Sequence, residues 1–203
     1  MFYEATGNKH GLPHDPFKAI VSPRPIGWIG SKGTDGSINL APYSYFNAIS
    51  DHPKMVLFSS SGRKDSLRNV EETGVFTTSM VSRNLAEKMN LSSVNAPYGE
   101  SEFGFAGLTA KPGQMVDAPY VAEAYAALEC KVTEMFEAKG LDGQASGSFV
   151  VIGQVVGIHI DDAAIRDGRL DMATAAPVAR LGYMDYADAA DTFEMRRPNW
   201  EPR

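Results

Sequence analysis

Glycine and proline interrupt this 203-residue chain at short intervals, and this spacing restricts the fold more than any other feature. The chain contains 19 glycines and 12 prolines, and they separate short apolar segments. Such punctuation is typical of β-strands joined by turns. The sequence therefore predicts a mainly β fold, a barrel with a few short helices. Because no linker or repeat divides the chain, we expect residues 1–203 to form a single domain.

The apolar segments give the expected order of the strands. Asp35-Gly36 is a hairpin signal between the first two segments. Residues 148–160 are apolar on both faces, which indicates a strand at the centre of the barrel or one shared with a partner subunit. The predicted strands cover residues 25–31, 38–46, 55–61, 75–82, 126–136 and 148–160.

Two short helices are expected between these strands. Leu67 and Val70 fall three residues apart, after a capping residue at Asp65 or Ser66, and Gly74 ends this helix. The second helix is expected over residues 84–91, with Leu85, Ala86 and Met89 facing inward.

Composition excludes several classes of function. A net charge of −6 and a pI near 5.2 oppose binding to nucleic acid and to anionic membrane surfaces. No segment reaches the roughly 18 apolar residues of a membrane span, and residues 1–11 lack the features of a secretory signal. We therefore expect a cytoplasmic protein. The lone Cys130 is expected to be a buried structural residue rather than a redox nucleophile.

The segment SSSGRKDS at 59–66 joins the end of a strand to the start of a helix. Free N–H groups at a helix start, several hydroxyls and two cations together suit a phosphate group. The same residues would equally suit a capped helix with solvated charges. The candidate phosphate ligands are Ser60, Ser61, Arg63, Lys64 and Ser66.

The segment NLAPYSYFNAIS at 39–50 mixes aromatic side chains with hydrogen-bonding ones. A planar heteroaromatic ligand needs apolar faces together with a few donors and acceptors at its edge. The alternative is an aromatic barrel strand that only packs in the core. The candidate residues are Tyr43, Ser44, Tyr45, Phe46, Asn47 and Ser50.

Metal-dependent and hydrolytic chemistry have little support in the sequence. Among the four histidines only His10 and His14 are close, and Pro13 between them argues against a shared helix face. The chain has no GxSxG motif, and Cys130 has no histidine partner nearby in sequence. We therefore expect neither a metal site nor a catalytic triad.

A long excursion without a clean period spans residues 92–120. Its part 95–108 combines glycines with Tyr98, Phe103 and Phe105, so it could cover a bound ligand. The alternative is a surface loop whose phenylalanines attach it to the barrel.

Four motifs occur in the order typical of one family: RPIGWIGS at 24–31, NLAPYSYFNAIS, SSSGRKDSLRNVEETGVF at 59–76, and RLGYMDYA at 180–187. The combination resembles the flavin reductase-like FMN-binding split-barrel family, of the flavin reductase or flavoredoxin type. The resemblance implies a six-stranded Greek-key split barrel that forms a homodimer, with FMN in a cleft between the subunits. It also implies that residues 43–50 contact the flavin ring and that the 59–66 turn binds the phosphate. Arg24 and Trp28 would contact the ring or the ribityl chain.

The resemblance implies electron transfer from NAD(P)H to flavin, with an oxygenase as a further partner that uses the reduced flavin. Many short family members carry a histidine where this chain has Ser148, and its absence favours an alternative. That alternative is an FMN electron carrier that works with a protein partner instead of NAD(P)H. A third possibility is another ligand in the same barrel, since split barrels also serve pyridoxine-phosphate oxidases, haem proteins and deazaflavin enzymes.

Overall fold

The computed structural model describes residues 1–97 and 99–200. Its helices are α1 Phe17–Ile20, α2 Asp65–Thr73, α3 Ala86–Leu91, α4 Glu102–Phe105 and α5 Met172–Ala175, with 3-10 turns at Ala5–Gly7, Arg83–Leu85 and Asp162–Ala164. Its strands are β1 Arg24–Pro25, β2 Gly27–Lys32, β3 Ile38–Tyr43, β4 Phe46–Asp51, β5 Lys54–Ser61, β6 Val75–Ser79, β7 Ala110–Pro112, β8 Pro119–Val121, β9 Ala126–Lys139, β10 Ala145–Ile160, β11 Ile165–Arg166, β12 Arg169–Leu170, β13 Val178–Arg180 and β14 Tyr186–Asp188.

Seven strands form one antiparallel sheet in the order β3-β2-β6-β9-β10-β5-β4. The chain crosses from one edge of this sheet to the other at Ser44 and Tyr45, between β3 and β4. The edges are close in space, because a Cβ atom on Gly27 would lie 2.5 Å from the Phe46 ring. The sheet is therefore curled into a split barrel, which confirms the predicted mainly β fold.

The bend at Ser44 and Tyr45 also accounts for a difference from the expected strands. Residues 38–46 were predicted as one strand, but β3 ends at Tyr43 and β4 begins at Phe46. The main sheet accordingly has seven strands where the family resemblance implies six. The remaining strands form small sheets, β1-β13-β14, β7-β8 and β11-β12.

The long hairpin of β9 and β10 lies at the middle of the sheet, with β10 between β9 and β5. The central position predicted for 148–160 is confirmed. Its far end still leaves two large apolar side chains exposed, Ile158 and Ile160. The predicted Asp35-Gly36 hairpin is also present, since β2 and β3 pair directly and Gly36 has a φ of +87°.

Both predicted helices are present. In α2, Leu67 and Val70 are buried against the barrel, and Gly74 ends the helix in the left-handed conformation with a φ of 70°. The second helix begins as the 3-10 turn Arg83–Leu85 and continues as α3, with Leu85 and Met89 buried as expected.

Cys130 is fully buried in the core cluster beneath α2, in contact range of Phe76 and Val151. Burial, the larger cause, and the nearby Glu129 carboxylate raise the pKa of its thiol to about 12. Only the thiolate is a strong nucleophile. Cys130 is therefore a structural residue, as the sequence predicted.

The excursion at 92–120 is more ordered than its sequence indicates. It contains α4 and the β7-β8 hairpin, and Phe103 is buried in the core cluster with Trp28 and Leu40. Tyr98 lies outside the described residues. None of the helices in the described part of the chain is long and apolar enough to cross a bilayer.

Candidate functional site

A cleft of about 440 Å³ opens where the β3-β4 bend, the start of α2 and the segment after α3 meet. Its walls combine hydroxyls, amides, two lysines and two carboxylates with apolar and aromatic side chains. The lining residues are Lys18, Asn39, Ala41, Pro42, Tyr43, Ser44, Tyr45, Ser59, Ser61, Lys64, Asp65, Ser66, Ser92, Ser93, Val94, Asn95, Ala96 and Glu102. Two sequence segments chosen on separate grounds, 43–45 and 61–66, therefore line one cleft.

The α2 end of the cleft is suited to an anion. Lys64 occupies the position before the helix with an extended backbone, and no described side chain caps the α2 N-terminus. The first N–H groups of an uncapped helix need acceptors and carry partial positive charge. Lys64 is exposed and makes no ion pair with any described residue, and Ser61 and Ser66 add hydroxyls beside it.

Tyr43 forms part of the cleft floor. Its ring packs 5.0 Å from that of Phe58, and its buried hydroxyl has no hydrogen-bond partner among the described residues. Burial raises the pKa of Tyr43, and the nearby hydroxyls of Ser66 and Ser60 partly offset this rise, although neither forms a hydrogen bond of good geometry with it. A buried hydroxyl without a partner is costly, so this atom is available to a ligand.

Asn39 and Glu102 extend the polar floor, and neither was selected from the sequence. Asn39 donates from Nδ2 to Ser66 Oγ at 2.9 Å. The Glu102 carboxylate accepts from the Leu40 backbone N–H at 3.0 Å. Burial raises the pKa of Glu102, and the hydrogen bond from the Leu40 backbone N–H partly offsets this rise.

Trp28 contacts the wall of the cleft without lining it. Its side chain is fully buried, and its Nε1 donates to Ser92 Oγ at 2.8 Å. Ser92 lines the cleft, whereas Trp28 does not. Trp28, predicted to contact the ring or the ribityl chain, therefore does not line the cleft within this chain. It supports the 92–96 segment through its hydrogen bond to Ser92.

Arg24 is likewise buried outside this cleft. Its Nη1 donates to the backbone carbonyls of Lys18 and Val21, and its Nη2 donates to that of Leu181 at 2.8 Å. Backbone carbonyls thus take three of the five guanidinium N–H groups of Arg24. Arg24 joins the N-terminal segment to the β13-β14 turn.

The remaining predicted phosphate ligands differ in their availability. Ser60 is buried and donates to the Gly62 carbonyl at 2.9 Å, so it shapes the turn. Arg63 pairs with Glu71 at 2.5 Å and lies 4.9 Å from the Phe149 ring centroid, outside the cleft lining. Of the two cations expected at the phosphate, the structure brings only Lys64 to the cleft.

The other predicted ring contacts lie on β4. Phe46 packs against Gly27 across the barrel opening, Asn47 is exposed and Ser50 is half-buried. None of the three lines the cleft within one chain. Their position at the sheet edge leaves them accessible to a second subunit.

Sequence reasoning missed Lys18, Asn39 and Glu102, whereas the 92–96 segment belongs to the excursion that the sequence proposes as a cover. Lys18 and Glu102 are isolated charges in the sequence, and nothing in their spacing connects them with 59–66. Asn39 had a visible signal, as the polar start of an aromatic segment. Among the described residues, no three His, Cys, Asp or Glu side chains are grouped as a metal ion requires.

Several solved structures share this fold over nearly the whole chain. Nitrilotriacetate monooxygenase component B from Bacillus cereus is 28% identical with a TM-score of 0.86, over 96% of this chain and 98% of that one. The 2-nitrobenzoate 2-nitroreductase NbaA from Pseudomonas fluorescens is 25% identical with a TM-score of 0.85, over 100% and 99%. Flavoredoxin of Desulfovibrio vulgaris is 25% identical with a TM-score of 0.74, over 85% and 90%.

Sequence comparison gives the same assignment. An uncharacterised protein of Halalkalibacterium halodurans is 35% identical over 183 residues, which are 88% of this chain and 87% of the relative. Residues 21–184 match the family described as the flavin reductase like domain. This range includes β1 to β13 and every residue that lines the cleft except Lys18. The chain therefore belongs to the flavin reductase-like family.

Proposed function

We propose that this protein binds FMN in the cleft and transfers electrons from NAD(P)H to flavin, as a single domain over residues 1–203. One observation carries the proposal: Lys64, which makes no ion pair with a described residue, and the start of α2, which no described side chain caps, lie in the same cleft as the floor around Tyr43. A flavin mononucleotide needs both an anion site and an apolar, hydrogen-bonding site. We expect it to act in the cytoplasm, where a lone thiol such as Cys130 stays reduced.

The residues present fit FMN. The volume of about 440 Å³ lies within the range of small-molecule pockets. Lys64, Ser61 and Ser66 would hold the phosphate at the start of α2. The Tyr43 hydroxyl, which has no well-formed hydrogen bond to a described residue, offers one inside the cleft. Tyr45 and Pro42 supply apolar surface.

FMN, when bound, supplies the electron-accepting ring chemistry, so the protein needs no triad of its own. The described residues bind, orient and shield. Lys64 and the α2 N-terminus hold an anion, and Trp28 fixes Ser92 in the cleft wall.

Anaerobic photometry tests the electron donor. The purified, FMN-loaded protein should lose its flavin absorbance at about 450 nm when NADH or NADPH is added. An absorption spectrum without a flavin band after loading would contradict FMN binding itself. A normal band that neither nucleotide bleaches would contradict the NAD(P)H reaction alone.

A second candidate function is an FMN electron carrier served by a protein donor. Ser148 favours it, because it lies opposite Ser61 at the start of the β5-β10 pairing, where the family resemblance implies a histidine. Similarity to a flavoredoxin is compatible with this role. Bleaching by a reduced protein donor, together with no bleaching by either nucleotide, would select the carrier.

We also propose a homodimer. An apolar groove of about 330 Å³ runs between β4, β6 and β10, and Ile158 and Ile160 are exposed along it. Exposed apolar surface of this kind marks interaction sites. Asn47 and Ser50, at the same edge, would then approach the cleft of the second subunit, as the family resemblance implies.

Light scattering should therefore report twice the chain mass of 22.0 kDa. Ile158→Glu places a charge in the groove and is expected to produce monomers. Leu141→Glu, at the fully exposed tip of the β9-β10 hairpin, is the control and should remain dimeric. A monomeric wild-type protein that binds FMN fully would contradict the dimer.

A further inference from the structure

A second cleft adjoins the first. It has a volume of about 400 Å³ and lies between α1, the end of β3 and the β13-β14 turn. Lys18, Pro42, Ser44 and Ser93 line both clefts, so the two spaces lie next to each other. A compound in the second cleft would thus lie beside a ligand in the first.

The charge of this second cleft is opposite to that of the whole protein. Its lining contains Lys18, Arg24 and Arg180 and, within the described residues, no carboxylate. The chain as a whole carries a net charge of −6. Clustered cations in an acidic protein select locally for anions.

Arg180 is held in a fixed orientation on this wall. Its Nη2 donates to the Tyr183 carbonyl at 2.5 Å, and its guanidinium carbon lies 4.4 Å from the Tyr186 ring centroid. A guanidinium stacked in this way loses little freedom when it binds a carboxylate or phosphate. The remaining N–H groups suit a planar anion.

Tyr183 gives the same cleft an exposed aromatic face. Its φ is +56°, a conformation that is unfavourable for a residue other than glycine, and half of its surface is exposed. Strained backbone persists where surrounding structure enforces it, and such positions are enriched at functional sites. In this backbone conformation the Tyr183 ring lies exposed at the rim of the second cleft.

The two walls are fixed to each other. Arg24 donates to carbonyls on both sides, at Lys18 and Leu181. Gly182 approaches so closely that a Cβ atom there would lie 2.4 Å from the Ala19 Cβ. The cleft is therefore a preformed feature rather than a gap between independent segments.

We propose that this second cleft binds the second reactant, a planar compound that carries a carboxylate or phosphate, with its anion on Lys18 and Arg180 and its ring against Tyr183. The inference rests on the proposed function, because it assumes FMN in the first cleft. Two sources share this chemistry, a small aromatic carboxylate and a nicotinamide nucleotide. The placement puts the second reactant beside the proposed FMN site, because the two clefts share four lining residues.

Calorimetric titration of the FMN-loaded protein tests the inference, with 2-nitrobenzoate, NADPH and uncharged nitrobenzene as probes. Arg180→Gln should raise the Kd of the charged probe by about tenfold or more, since it removes a hydrogen bond to a charged group. Lys18→Gln, at an exposed position, provides a second variant in case Arg180→Gln fails to fold. The affinity for nitrobenzene should be unchanged in both.

Arg169→Gln is the matched control, because it removes the same charge from a side chain that is 84% exposed and outside the cleft. If Arg180→Gln raises the Kd of one charged probe and Arg169→Gln does not, that probe shows whether the ligand is an aromatic carboxylate or a nicotinamide nucleotide. Charged-probe affinities equal to those of the wild type in both cleft variants would overturn the inference, as would failure of both charged probes to bind the wild type. Flavin absorbance of the same samples reports FMN binding separately, so loss of the proposed function would be recognised.

Discussion

Replacement of Lys64 by alanine is expected to weaken FMN binding by about 1.5 to 3 kcal/mol, the usual contribution of a hydrogen bond to a charged group. Lys64 is the cation that lies in the cleft at the uncapped start of α2, without an ion pair among the described residues. The effect should be specific to the phosphate. Riboflavin, which lacks it, should bind the variant and the wild type alike.

Arg63→Ala is the matched control. The sequence predicts equal roles for the two neighbouring cations, but Arg63 pairs with Glu71 and stacks near Phe149 outside the cleft lining. We therefore expect the Kd for FMN to change much less in this variant. Fluorescence titration with FMN and riboflavin would measure both variants. Equal losses of FMN and riboflavin affinity in Lys64→Ala would show that the turn is structural rather than a phosphate site.

The barrel could be predicted because its strands are short and clearly bounded. The 148–160 segment indicated a central strand through its two apolar faces, and β10 occupies that position. The 59–66 turn was recognisable because strand, hydroxyls, cations and helix start follow one another in sequence. Both features depend on residues that are close in sequence, so the sequence pattern alone predicts them.

The rest of the cleft depends on long-range packing. Glu102 reaches the cleft because its carboxylate accepts from the Leu40 N–H, across 62 positions of sequence. Trp28 has the aromatic side chain expected of a ring contact. Its indole instead lies outside the cleft lining and donates a hydrogen bond to Ser92. Phe46 and Asn47 follow a bend that moves the chain to the opposite sheet edge, which no periodicity reveals.

Phe103 and Phe105 are expected to respond in opposite ways to replacement, although the sequence proposes both as parts of a cover. Phe103 is only 2% exposed and packs in the core cluster with Trp28, Leu40 and Met89. Phe103→Ala should lower the free energy of unfolding by about 3 to 5 kcal/mol. For this residue the attachment of the loop to the barrel is the supported interpretation.

Phe105 is 63% exposed and lines a depression that shares Val94, Asn95 and Ala96 with the proposed flavin cleft. Phe105→Ala should change the free energy of unfolding by no more than about 0.5 kcal/mol. If its ring shields the cleft from solvent, reduced flavin in this variant should be reoxidised by oxygen faster than in the wild type. Thermal unfolding and stopped-flow reoxidation of both single variants would measure these effects. Unchanged reoxidation in Phe105→Ala would remove the cover hypothesis, because the remaining phenylalanine acts through stability alone.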